Sequence, residues 1–299
     1  MSLKPPTTTP EQIQLLKDRG VAFANEEFAN LFLSNVNYYT LTGYLLPYKN
    51  EEGGYANIDF DTLYKQYIFD SQLRNIVLGG IEVAELSLKT KISNYIAHNF
   101  ENVTLHYDRN NENAYFTGEK FYVDRGKQAK LEGQLYLAVR NNASLKQVSH
   151  HIHKYKGNFP IWVIIELFTL GNIRHLFDNL PEESQHGIAK LYGVYNWQLT
   201  SWIENLRKTR NSLAHASRVY GVKYGYAPKR HPKNPVWQSQ YNVFDQIMLL
   251  RWFYYDLKSW NTFLNSIHSL IEDFDRIIDL TILGFPDNWY ELLKNKVRR

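Results

Sequence analysis

Cysteine is absent from all 299 residues. That excludes disulfides, Cys-ligated zinc, iron–sulfur clusters and a cysteine nucleophile, and it fits a reducing compartment. Long apolar runs are absent as well. The best, residues 161–165, meets Glu166 and soon after Gly171, so no stretch is long enough to span a bilayer. The opening MSLKPPTTTP is polar and Pro-rich and holds no apolar signal core. The expectation is a soluble, cytoplasmic protein with no membrane partner. Charge is nearly balanced, with 34 Lys or Arg against 30 Asp or Glu. A net charge of +4 is compatible with a polyanionic partner without demonstrating one. No Gly-rich phosphate loop with a following Lys-Ser or Lys-Thr occurs, and no His-Glu-x-x-His zinc helix. Neither a cofactor nor a metal is expected.

What is present is core material. A hydrophobic fraction of 44% and an aromatic fraction of 15% exclude a largely disordered chain. Apolar residues recur at helical spacing. A first helix is expected over residues 11–19, with Thr9 as cap and Pro10 at the first position, and a second over 25–35. The strongest signal runs over 60–100, where Leu63, Tyr67, Leu73, Ile76, Val77, Ile81, Ala84 and Leu88 share one face. Gly79-Gly80 inside it marks a kink, a break or close packing. Residues 101–120, rich in Asn, Glu and Tyr, read as loop. Helices follow over 124–140, 144–154, 161–176 (apolar nearly all round), 182–194, 197–219 and 241–275, before a short tail helix. No strand alternation, internal repeat or separating linker is evident. The expectation is one all-α domain over 1–299: a helical bundle over about 60–220, an N-terminal lobe over 1–59 and C-terminal helices over 236–299.

The segment that carries chemistry is Arg207-Lys208-Thr209-Arg210-Asn211-Ser212-Leu213-Ala214-His215-Ala216-Ser217-Arg218. Arg210 and His215, four residues between them, have the order and spacing of metal-independent ribonucleases. Cleavage through the ribose 2′-OH needs a group that takes one proton and returns another, and a group that meets negative charge on phosphorus. An imidazole suits the first task because it titrates near neutrality. A guanidinium suits the second because it stays charged and its fork matches phosphate oxygens. On an ideal helix Arg210 and His215 point roughly 140° apart, whereas Asn211 and His215 lie one turn apart on one face. A second copy of the motif would complete the site, and with one motif per chain a two-fold homodimer is the economical source. Spacing alone is weak, since a chance match is expected on the order of once per chain. The ordinary reading makes Arg210 a salt-bridge partner and His215 a half-buried helix residue.

The Arg210-Asn211 pair, Ala214-His215 and Arg218 resemble the pattern of the Abi-like abortive-infection family of bacteria (AbiD/AbiF type), part of the wider HEPN group of helical ribonucleases. Where relatives often carry a second His, this chain has Ala216. The resemblance extends along the chain in order: Lys4-Pro5-Pro6 with Gln12-Ile13; Asn37-Tyr38-Tyr39 with Gly43-Tyr44; Phe69-Asp70, Leu73-Arg74, Ile81-Glu82 and Glu85; Pro160-Ile161-Trp162 with Glu166 and Gly171; and Gly284-Phe285-Pro286 with Trp289. It implies an all-α, HEPN-like bundle and an RNA-cleaving protein of abortive-infection or toxin type, with an antitoxin or a phage-derived activator as further partners. His215 would be the general acid/base, Arg210 the phosphate clamp and Asn211 an orienting residue. Arg207, Arg218, Lys229 and Arg230 would contact RNA.

Rival readings remain open. Many domains of this kind only bind RNA or protein, and fold does not establish activity. Asp70 and Arg74 form an i,i+4 pair, either as an ordinary ion pair or, with Glu82 and Glu85, as a source of a carboxylate that presets Arg210 or Arg218. Glu166, if buried, needs a partner such as a motif Arg. His150, His151 and His153 read as a solvated face or a partial metal set. Tyr38, Tyr39 and Tyr44 read as core or as base-stacking rings. The basic loop from Lys223 to Lys233 reads as a mobile solvated loop or as a track for an RNA backbone.

Overall fold

The computed structural model describes residues 5–56, 58–231 and 238–294. It is mostly helical, with one small sheet. The N-terminal lobe holds α1 (Thr9–Asp18), α2 (Glu26–Leu33) and α3 (Tyr38–Thr42), the last running into a 3-10 turn, Gly43–Tyr48. Thr8, one residue before the expected cap, starts α1 in a capping box with Glu11.

α4 (Phe60–Asn99) is the spine, about 60 Å long at 1.5 Å per residue. Asp59 caps it, accepting from the Thr62 N–H at 2.8 Å. Leu63, Leu73, Val77, Ile81, Ala84 and Leu88 are buried along it, as their spacing predicts, while Tyr67 and Ile76 of the same expected face are only half-buried. Of the three readings of Gly79-Gly80, close packing holds for the second glycine. A Cβ on Gly80 would stand 2.6 Å from Leu250 Cδ1 and 2.8 Å from Phe263 Cε2, while one on Gly79 would meet nothing within 4 Å.

Residues 101–120 correct the loop expectation and the all-α class. β1 (Thr104–Asp108) and β2 (Asn113–Thr117) form a hairpin, and β3 (Asn158–Pro160) pairs with the other edge of β1. Leu105 faces Phe116 on one side and Phe159 on the other. Each strand buries only one or two side chains, too few for alternation to stand out in the sequence. On the Leu105 face lie α5 (Arg125–Asn141) and α6 (Lys146–Lys154), α5 through a Tyr107–Tyr136 ring stack and α6 through His151 on Phe159.

The helix expected over 161–176 is broken. α7 (Ile161–Ile164) tightens into a 3-10 turn, Ile165–Leu167, and Phe168 is extended. α8 (Leu170–Asp178) then starts from Thr169, whose Oγ1 accepts from the Asn172 N–H at 3.2 Å while Asn172 Oδ1 accepts from the Thr169 N–H at 2.9 Å. This capping box outcompetes continuation of the helix. Trp162 and Glu166 are exposed, so the segment is not apolar all round, and Glu166 needs no buried partner. α9 (Glu182–Lys190) and α10 (Asn196–Ala214) follow. The long helix expected over 241–275 is two, α11 (Val243–Leu250) and α12 (Leu257–Asp273), the second capped by Asp256, and α13 (Trp289–Lys294) ends the described chain. Buried apolar residues from all these parts form one contiguous core. Among the described residues no helix is long and apolar enough to cross a membrane.

Candidate functional site

α10 carries the motif on a face left open by the core. Leu199, Trp202, Ile203, Leu206 and Leu213 are buried, whereas Arg210, Asn211, Ala214 and His215 are exposed. The helix ends at the motif itself, five residues earlier than its pattern suggests. His215 is the C-cap, and Ala216 takes a left-handed φ of +54°. The Ser217 N–H donates to Ser212 O at 3.1 Å and the Ala216 N–H to Leu213 O at 3.0 Å, the paired bonds of a Schellman motif. His215 therefore stands at the rim of a chain reversal.

The reversal delivers residues 218–220 to α4. There Asp70, fully buried, accepts through Oδ1 from the Val219 N–H at 2.8 Å and the Tyr220 N–H at 2.6 Å, and its Oδ2 pairs with Arg74. Burial pushes the Asp70 carboxyl above the ordinary Asp range, against the two N–H donors and Arg74, which favour its charged form. Arg218 lies half-buried over the Tyr44 ring, 5.6 Å from its centroid, close against Gly43 and within the field of Asp70. Desolvation lowers its pKa. Thus Arg218 and the Asp70–Arg74 pair form a clamp behind the motif, and Arg218 does not line the cleft described next. Tyr44 is core; Tyr39 is exposed.

In front of the motif two hollows meet at Arg210. One, about 290 Å³, is lined by Glu85, Phe168, Thr169, Leu170, Gly171, Arg207, Arg210 and Asn211. The other, about 440 Å³, is lined by Leu78, Ile81, Glu82, Glu85, Leu86, Arg210 and Ala214. Arg210 and Asn211 share the first hollow, and His215 lines neither. No hydrogen bond or ion pair joins the side chains of Arg210, Asn211 or His215 to other described residues. Arg207, by contrast, is held in a fork by Glu204, Nε to Oε2 at 2.9 Å and Nη2 to Oε1 at 2.8 Å, which lowers the Glu204 pKa and raises that of Arg207. Glu85 on the same wall pairs with Lys89 at 3.0 Å.

Lys229 and Arg230 are placed elsewhere. The Lys229 carbonyl accepts from Trp202 Nε1 at 2.6 Å and the Arg230 carbonyl from Gln198 Nε2 at 2.5 Å. That fixes this part of the loop eight or more residues before Arg210, about 12 Å along the helix axis. Lys233 lies outside the described residues. Of the three histidines on α6, His151 stacks on Phe159, while His150 and His153 are exposed. Among the described residues no group of three or more His, Asp or Glu is arranged to hold a metal ion. The lip of the cleft at Thr169–Gly171 went unread in the sequence. Its signal was the Thr-x-x-Asn capping box inside an apolar run.

Compared with protein families, residues 31–221 match the model described as Abi-like protein. The chain belongs to the Abi-like family. The match takes in α4, the whole cleft, the motif and the Asp70 clamp, and it stops at the residue after Tyr220. Among curated proteins and among solved structures nothing matches the chain. Membership in the Abi-like family suggests a role in abortive infection.

Proposed function

We propose that this Abi-like protein is a metal-independent endoribonuclease of abortive-infection or toxin type, built on a HEPN-like helical core. The observation that carries the reading is the state of the motif. An imidazole and a guanidinium five positions apart stand exposed with no partner among the described residues, while the flanking Arg207 and Arg218 are both engaged by their own fold. Exposed groups left free of structural duty, one of them lining the cleft, are available to a substrate. In the proposed reaction the ribose 2′-oxygen attacks phosphorus, the 5′-oxygen leaves, and a 2′,3′-cyclic phosphate and a 5′-hydroxyl result. His215 moves the proton, and Arg210 meets the charge on the phosphoryl oxygens.

The offset along α10 favours a shared site. Arg210 opens into the hollows, and His215 sits past the end of the helix and lines neither. In a two-fold dimer, Arg210 of one protomer would face His215 of the partner subunit. The exposed Leu86 beside the cleft adds apolar surface for that contact. Mixing two inactive variants, Arg210→Ala and His215→Ala, tests this arrangement. A shared site restores activity to about a quarter of wild type, since half the dimers are mixed and each holds one intact site. No restoration in demonstrably mixed dimers would mean that each chain carries its own site.

A further inference from the structure

The chain's positive charge is not spread evenly. Residues 125–156, which hold α5 and α6, carry seven Lys or Arg against one acid, Glu132. The other 267 residues carry 27 Lys or Arg against 29 Asp or Glu, so the excess sits on this helical layer. All seven cations are exposed. None forms an ion pair within the described residues, whereas α4, α8 and α10 all hold such pairs. Glu132 is occupied, accepting from the Phe116 N–H at 2.7 Å and Gln128 Nε2 at 2.9 Å, and Asp124 is spent capping α5.

The layer connects to the cleft. Lys127, Lys130 and Gln134 follow each other at steps of three and four along one side of α5. Gln134 Oε1 accepts from Asn172 Nδ2 at 2.6 Å. Asn172 is the capping-box partner of Thr169, which lines the same hollow as Arg207, Arg210 and Asn211. One turn from Asn172, His175 has its pKa lowered by burial and then by the charges of Lys130 and Lys127, with Asp124 opposing. Arg140, six residues past Gln134 and so about 120° further round α5, stands apart from this row above the Tyr136 ring. Lys130 and Lys127 thus lie along the first turns of α5, up to seven residues or about 10 Å from the Gln134 contact with the lip of the cleft.

We infer that this row is a track for the phosphodiester backbone of single-stranded RNA, holding the strand that flanks the phosphate at Arg210. The inference rests on the ribonuclease reading for its direction but concerns affinity, not chemistry. A stacked strand advances about 3.4 Å per phosphate, so this stretch spans on the order of three nucleotides beyond the cleft. Contact is to phosphate, so the track gives affinity and register without sequence preference.

The test is a salt titration of binding to a 20-nucleotide unstructured RNA. It uses full-length His215→Ala, which removes cleavage, alone and combined with Lys127→Gln and Lys130→Gln. Each released phosphate contact contributes about 0.7 to the slope of log K against log salt, so the combined variant has a slope shallower by about 1.4. A trinucleotide, confined to the cleft, shows no such change. The charge-preserving pair Lys127→Arg and Lys130→Arg keeps the long-RNA slope and controls for folding. An unchanged slope in the neutralised variant overturns the track and leaves the ribonuclease reading standing. A slope that falls as expected while wild-type protein cuts no RNA leaves the track and removes the chemistry. No RNA binding at low salt overturns both.

Discussion

The Asp70 clamp makes a prediction whose parts can be separated atom by atom. Oδ1 accepts both backbone N–H groups, and Oδ2 meets Arg74, so Asp70→Asn and Asp70→Ala remove different things. Asn keeps an oxygen for Val219 and Tyr220 but turns an NH2 group toward a guanidinium. It loses only the ion pair. Ala loses the pair and also strands two buried N–H donors. Asp70 is wholly buried and Arg74 nearly so, which means that solvent screening offers no discount. Breaking one side of such a pair costs about 3–5 kcal/mol, and each stranded donor adds about 1–3 kcal/mol.

Against a total stability of about 5–15 kcal/mol, Asp70→Asn leaves a folded protein whose melting temperature drops on the order of 10 °C, and Asp70→Ala sits near the folding limit. Replacing Arg74 by Met in the Asp70→Asn background recovers part of the loss, because the uncompensated guanidinium goes with it. The assay is chemical denaturation for the series, with amide exchange at Val219 and Tyr220. Asp70→Asn retains protection there, and Asp70→Ala loses it. Equal stability of wild type and Asp70→Ala within about 0.5 kcal/mol, or unchanged protection at both amides, would refute the clamp.

Gly80→Ala should destabilise by about 1–3 kcal/mol, because its Cβ overlaps Leu250 and Phe263, whereas Gly79→Ala at an open position should stabilise by about 1 kcal/mol. Denaturant melts of the two variants show opposite signs if α4 packs as described. His175 should titrate below 6.5, lowered by burial, Lys130 and Lys127, with Asp124 opposing and the Tyr122 hydroxyl 2.8 Å from its Nδ1. A base whose folded pKa is depressed costs stability as pH falls through its unfolded value. The protein therefore loses stability through this residue below about pH 6.5. In Lys127→Gln/Lys130→Gln the His175 resonance should titrate at higher pH; a fixed midpoint would place those ammonium groups away from α8.

How far the sequence carried depends on the length of each signal. α4 was legible because sixteen of its residues are buried along one continuous helix, so the period repeats many times. The sheet was not, since β1 shows only Leu105 and Tyr107 inward and β3 only Phe159. The break at Phe168–Thr169 was masked by apolar residues on both sides, although the capping box that causes it was present. The i,i+4 relation of Asp70 and Arg74 was readable, but the acceptance of Val219 and Tyr220, about 150 residues away, is a tertiary fact. The motif was readable as spacing. That α10 ends on it, and that Arg218 turns back toward Tyr44 instead of the cleft, follows from the left-handed residue at Ala216, where the sequence shows no glycine to announce it.

Arg210 and His215 are proposed to cut RNA without a metal. This is tested most directly by incubating purified protein with single-stranded RNA in excess EDTA and analysing the ends formed. Wild type should leave 2′,3′-cyclic phosphate and 5′-hydroxyl ends. His215→Ala should produce none, with folding and RNA binding nearly intact, and neither should Arg210→Ala, which binds more weakly. Arg210→Lys should recover little, because a point charge lacks the fork. Cleavage that requires added divalent metal, or that proceeds at the wild-type rate in His215→Ala, would contradict the claim and make His215 a structural cap.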